Sequence, residues 1–166
     1  MSNIIDWKGT IKIPGREDPF VYKSRDPFPE LDPFVIFFHG KVEMPYSEQN
    51  LRYGNLTDVD CGSNCIIQTL GGEDVVETKV SMLFYLIRKQ NEEKKGPLLK
   101  NGFYNLFFIK NSNGDMCVVN IRFLEVKRTS SIDSFNRSEM DVELVQKEGQ
   151  YLWNPGARIF IPSRKK

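Results

Sequence analysis

Three cysteines and one histidine are the side chains of this sequence best suited to covalent or metal chemistry: Cys61, Cys65, Cys117 and His39. A thiolate nucleophile needs a base, usually histidine, and a third group that orients the base. His39 is the sole imidazole, and it lies 22 residues before Cys61. The same four residues have the donor types of a Cys₃His zinc site. Their spacing argues against it, because Cys61 and Cys65 stand as C-x₃-C and not as the usual C-x₂-C knuckle. Buried cysteine is otherwise an ordinary small hydrophobe. The expectation is a chain with no metal, no cofactor and no catalytic residue, in which Cys61 is structural.

The run Asp60-Cys61-Gly62 resembles the nucleophile region of cysteine peptidases of the bacteriocin-processing and SUMO-peptidase types. The resemblance rests on these three residues and implies Cys61 as the nucleophile. No histidine follows Cys61, which excludes the types with a downstream base. The SUMO-peptidase type places its histidine much farther upstream than His39. His39-Gly40, after Val35-Ile36-Phe37-Phe38, resembles the oxyanion strand of α/β-hydrolases. No G-x-S-x-G elbow and no later histidine accompany it. There is no P-loop and no G-x-G-x-x-G, and Gly71-Gly72 alone predicts a turn.

A short repeat stands near the start: Asp18-Pro19-Phe20, Asp26-Pro27-Phe28 and Asp32-Pro33-Phe34. Asp can bond to backbone amides ahead of it, Pro fixes φ, and Phe supplies an apolar anchor. The expectation is an extended belt over residues 14–33, pinned by Phe20, Phe28 and Phe34, with Phe34 the deepest. Asp-Pro-Phe tripeptides also resemble the short motifs bound by clathrin-adaptor appendage domains, which implies a displayed peptide as the alternative.

Charge is uneven. Residues 1–80 carry 8 Lys/Arg against 13 Asp/Glu, and residues 81–166 carry 15 against 9, for a net +1. The basic half holds aromatics (Phe103, Tyr104, Phe107, Phe108, Phe123, Tyr151, Trp153) among cations (Lys100, Lys110, Arg122, Lys127, Arg128, Arg158). Single-strand readers combine these two features. Aromatics in β-rich runs are otherwise core, and the net charge is near neutral.

These residues need a scaffold. With 166 residues, 12 Phe, 6 Tyr and 2 Trp, one folded domain over 1–166 is expected. No uncharged apolar run approaches ~18 residues, so no membrane helix is expected. The start lacks the pattern of a secretory signal, which makes a reducing cytoplasm the expected compartment and leaves Asn55-Leu-Thr57 and Asn136-Arg-Ser138 as chance sequons. Trp7, Gly9, Ile11 and Ile13 alternate with polar residues and predict a half-buried strand. Phe34–His39 reads as a central strand continuing to Val42, and residues 44–60 as a long polar loop. Asp74–Lys95 predicts a helix, with Val76, Val80, Leu83 and Ile87 on one stripe and Gly96-Pro97 as its stop. Its β-branched first half also suits a strand. Phe103–Lys110 and Met116–Lys127 predict a hairpin with a type I′ turn at Asn113-Gly114. Val142–Val145 and Arg158–Ile161 predict two more strands, and residues 163–166 a basic tail.

The resulting fold class is α+β: an antiparallel sheet with one long helix and the Pro/Phe belt. An all-β sandwich or jelly roll is the alternative. The function expected is a non-enzymatic binding or assembly protein acting through protein–protein surfaces, with a protein partner or a homo-oligomer. A nucleic-acid binder using Lys127, Arg128 and Arg158 is second, and a cysteine hydrolase at Cys61 is third.

Overall fold

The computed structural model describes residues 4–22, 38–57, 61–93, 95–100, 102–127, 136–146 and 153–163, with 124–127 and 136–139 through their backbone. Among the described residues, nine strands and three helices follow in chain order: β1 (Ile5–Ile13), β2 (Phe20–Val21), β3 (Val42–Glu43), β4 (Gln49–Leu56), α1 (Ser63–Leu70), α2 (Glu73–Val76), β5 (Glu77–Thr78), α3 (Val80–Glu93), β6 (Asn105–Lys110), β7 (Met116–Lys127), β8 (Asn136–Gln146) and β9 (Arg158–Pro162). Seven of the strands form one sheet in the order β1-β4-β9-β6-β7-β8, with β5 paired to β6. Strands β2 and β3 form a separate two-stranded ladder.

The sheet is mixed. Strand β6 runs antiparallel to β7 but parallel to both β9 and β5. This corrects the expected antiparallel sheet. The expected single long helix over Asp74–Lys95 is also corrected, because two shorter helices, α2 and α3, take its place. Residues 77–78 leave the helical path to pair with Phe108 and Ile109, and the Thr78 hydroxyl donates to the Phe108 carbonyl. A strand pairing thus cuts the segment into α2 and α3. The helix Val80–Glu93 likewise sets aside the all-β alternative.

Both sheet faces are covered, which explains why β6 and β7 read as nearly continuous apolar runs. On one face, α3 packs Val80, Leu83, Leu86 and Ile87 against Leu51, Phe107, Ile109, Val119, Ile121 and Phe160. On the other, α1, α2 and Trp153 pack Ile66, Ile67 and Val76 against Ile5, Leu56, Leu106, Phe108, Val118 and Ile159. Phe107 and Phe160 lie opposite each other in the parallel pair β6–β9 and stack with centroids 4.6 Å apart.

The alternation predicted for Trp7–Ile13 is present in β1. A bulge changes its meaning. The register with β4 slips between Trp7 and Gly9, so Ile5 and Trp7 face the α1 layer while Ile11 and Ile13 face the α3 layer.

Three further expectations change. The stretch 44–60, read as a loop from its Asn, Gly and Pro, contains β4, flanked by β1 and β9 on its two sides. Its Gly54 opposes Trp7, where a Cβ would stand 2.6 Å from the Asp6 carbonyl oxygen. The glycine is therefore a close-approach residue and not a turn signal. The Phe34–Val42 strand is not continuous: Phe38 is buried, His39 and Gly40 turn, and β3 pairs with β2 at the margin of the molecule. The β6–β7 hairpin is present, but the Gly114 amide donates to the Asn111 carbonyl. Ser112 and Asn113 are therefore the central residues, with Gly114 following at φ 86°. That is a longer loop than the expected two-residue type I′ turn.

Candidate functional site

The two-stranded ladder β2–β3 inverts the usual burial rule. Glu43 is buried, while its neighbours Val42 and Met44 are 54% and 67% exposed. Val21, the register partner of Val42, is 45% exposed. Among the described residues these are three of the four exposed large hydrophobics, the fourth being Phe103. The period of two puts Val42 and Met44 on one face and Glu43 on the other.

Glu43 explains the inversion. Its carboxylate accepts the Val80 amide at 2.7 Å and the Ser81 amide at 3.0 Å, the orphan donors that open α3. Lys41 Nζ lies 3.5 Å from the same carboxylate and donates to the Lys110 carbonyl. Burial pulls the Lys41 ammonium below its ordinary pKa, and the Glu43 carboxylate opposes that shift. The Tyr46 hydroxyl meets Ser81 at 3.1 Å. Inward, then, the ladder is bolted to α3 by polar contacts. Outward, it presents aliphatic side chains.

Phe20, a predicted anchor, is half-buried. Its ring meets Phe84 of α3 edge-on at 6.0 Å, with the Arg16 guanidinium 5.2 Å above it. Tyr22, fully covered, adds a second contact to Phe84 at 6.1 Å. The belt's described portion is thus pinned through Phe20 and Tyr22. Phe28 and Phe34 lie outside the described residues.

The predicted basic face separates into unlike parts. Arg158 donates to Asn55 Oδ1 at 2.9 Å and to the Pro97 carbonyl at 2.8 Å, and its guanidinium lies 5.0 Å from the Tyr53 centroid. Burial lowers its pKa, with partial opposition from Tyr53. These contacts tie β9 to β4 and to the turn after α3. Lys127 closes β7 opposite Asn136, and Arg128 and Tyr151 lie outside the described residues. Phe107, Phe108 and Trp153 are fully buried and Phe123 nearly so, which leaves Phe103 and the half-buried Tyr104 as reachable rings.

Those two rings border a groove of about 260 Å³ with Arg122 and the Asn154–Ala157 turn. Arg122 is bonded to Asp141, its cross-strand partner, and this hydrogen bond raises its pKa against the opposing effect of burial.

Cys61 and His39 are not brought together. Cys61 belongs to the α1-side layer, and its carbonyl accepts the Trp153 amide. His39 is exposed in a turn and follows Phe38, which belongs to the α3-side layer and not to that of Cys61. Cys117 is buried and Cys65 exposed, and all three are unbridged thiols. Among the described residues, no three His, Cys, Asp or Glu side chains gather as a metal site. No described helix is long and apolar enough to cross a membrane.

Sequence reasoning missed Glu43, Val42 and Met44, which fell at a strand end and in a loop. The run Lys41-Val42-Glu43-Met44, polar and apolar in strict alternation, was the available signal. Comparison with known protein families, with curated proteins and with solved structures finds no match to this chain.

Proposed function

We propose that this chain is a non-enzymatic binding or assembly protein that works through a protein–protein surface, and that the outer face of β2–β3 belongs to that surface. One observation carries the reading: Val21, Val42 and Met44 expose aliphatic surface side by side on a ladder whose inner face is locked to α3. Clustered exposed hydrophobics on an ordered element are a usual mark of a contact site, whereas single ones are not. The partner is another protein or a second copy of the chain, and the three thiols suit a reducing cytoplasm.

The test is native mass measurement of the chain purified from its source, beside a Val42→Asp, Met44→Asp double variant. Both positions are exposed, so the variant should keep the wild-type melting temperature. The expected result is a bound protein or a second copy in the wild type, lost in the variant. A bare monomer in both, or an unchanged complex in the variant, would remove the reading.

A further inference from the structure

On the opposite side of the sheet from α3, a row of polar side chains interrupts the apolar layer. Asn120 follows Val118 on the same face of β7, and Arg122 follows Asn120. Asn120 is fully buried, yet neither its carboxamide oxygen nor its nitrogen has a partner in the protein. Arg122 Nε is shielded from solvent and also lacks an acceptor. A buried unmade hydrogen bond costs about 1–3 kcal/mol, so the Asn120 carboxamide and the Arg122 Nε mark a polar spot in an otherwise apolar layer.

Arg122 leads outward to the groove beside Phe103 and Tyr104. Its guanidinium lies 5.3 Å from the Tyr104 centroid, and Tyr104 is braced edge-on against Trp153 at 5.9 Å. Phe103 is 55% exposed. At about 260 Å³ the groove is slightly smaller than the roughly 300–1,000 Å³ of sites that enclose a whole small molecule. It has room for one flat ring system, with the rest of the ligand outside.

Charge narrows the class. Among the described residues Arg122 is the one cation lining the groove, and it pairs with Asp141. Glu143, the cross-strand partner of Asn120, adds a second carboxylate nearby. A polyanion is poorly served there. A neutral ring is well served if one edge accepts from the guanidinium and another donates to the partly exposed Asp141 carboxylate beside it. Guanine has both: O6 and N7 suit arginine, and N1–H and the 2-amino group are donors.

We infer that the Phe103–Tyr104–Arg122 groove binds a guanine-type purine base, stacked on the aromatic rings and hydrogen-bonded by Arg122. The base comes from a free nucleoside or from an unpaired guanine in a strand. The inference stands apart from the proposed protein–protein surface, which lies on the other side of the sheet.

Calorimetric titration of the intact chain with guanosine, adenosine, cytidine and uridine tests it. A short single-stranded oligonucleotide containing guanine, and its adenine-only counterpart, form the second arm. Guanosine should bind at least tenfold more tightly than the other nucleosides, with little salt dependence. Phe103→Ala and Arg122→Gln should each weaken it at least tenfold while melting near the wild-type temperature. Val42→Asp should leave it unchanged. If the guanine oligonucleotide outbinds guanosine while the adenine one does not, the inference holds with a strand as the source. No nucleoside binding at millimolar concentration, equal binding of all four bases, or full binding by Phe103→Ala would overturn it. If Arg122→Gln fails to fold, Phe103→Ala decides alone.

Discussion

Glu43 shows how one buried carboxylate can organise this molecule. It caps α3 from a strand 37 residues earlier in the chain, satisfying two amides and facing Lys41. Its removal leaves those donors uncapped and Lys41 without its counter-charge. We expect Glu43→Ala to cost about 3 kcal/mol in chemical denaturation. Glu43→Gln should cost less, because an amide oxygen still accepts from the helix. A neutral Glu43→Ala would mean the cap is replaceable by solvent. The cysteines make a second residue-scale test. Cys61 and Cys117 are at most 1% exposed, and Cys65 is exposed. With a thiol reagent at neutral pH, Cys65 should react first and the other two only on unfolding. Fast labelling of Cys61 would instead revive the nucleophile that Asp60-Cys61-Gly62 resembles. At this scale the sequence was informative about what is buried: Val76, Val80, Leu83 and Ile87 are all in the core. It was silent on Glu43, because a cap supplied by a distant strand leaves no local pattern. Asp74, read as the start of one long helix, does sit in a first turn, but that of α2.

At the scale of elements, strands were legible where burial alternates and illegible where a strand is polar and internal. Strand β4 carries the polar Gln49 and Arg52 and the turn formers Asn50, Gly54 and Asn55. Its strand character comes from the partners on both of its edges, not from its own residues. Gly54 measures this. A methyl group there would sit 2.6 Å from the Asp6 carbonyl oxygen and 2.9 Å from Trp7 Cα. Backbone cannot yield as a side-chain tip does, so Gly54→Ala should cost about 3 kcal/mol or more. Gly114 is the contrast. Its Cβ position is empty of neighbours, and its φ of 86° is the whole penalty. Gly114→Ala should therefore cost about 1–2 kcal/mol. Paired thermal melts that gave the reverse order would contradict the crowding at the β1 bulge. The hairpin was predictable because Asn-Gly marks a tight reversal. Its turn type was not, since Asn111 Oδ1 accepts the Asn113 and Asp115 amides and so widens the loop.

Across the whole molecule, the sheet order joins residues far apart in sequence. Strands β6 and β9 lie side by side and parallel, with some fifty residues between them. Nothing local announces such a pairing, which is why a mixed sheet was read as antiparallel with a single long helix. The asymmetry of charge was legible, but its interpretation as one basic face was not, because Arg158 is spent on Asn55 and the Pro97 carbonyl and Arg122 faces Asp141 across the strands. Among the described residues the largest outward apolar cluster is aliphatic: Val21, Val42 and Met44 on the β2–β3 ladder. If the chain functions by docking there, Met44 should be covered wherever the chain is at work. Hydroxyl-radical footprinting reads this directly, comparing the purified chain with the chain in extract of its source cells. Met82 and Met116, each 1% exposed, serve as internal controls that stay protected in both. Met44 should oxidise readily in the purified chain and at least several-fold more slowly in the extract. Equal oxidation of Met44 in the two samples, with the controls unchanged, would contradict it.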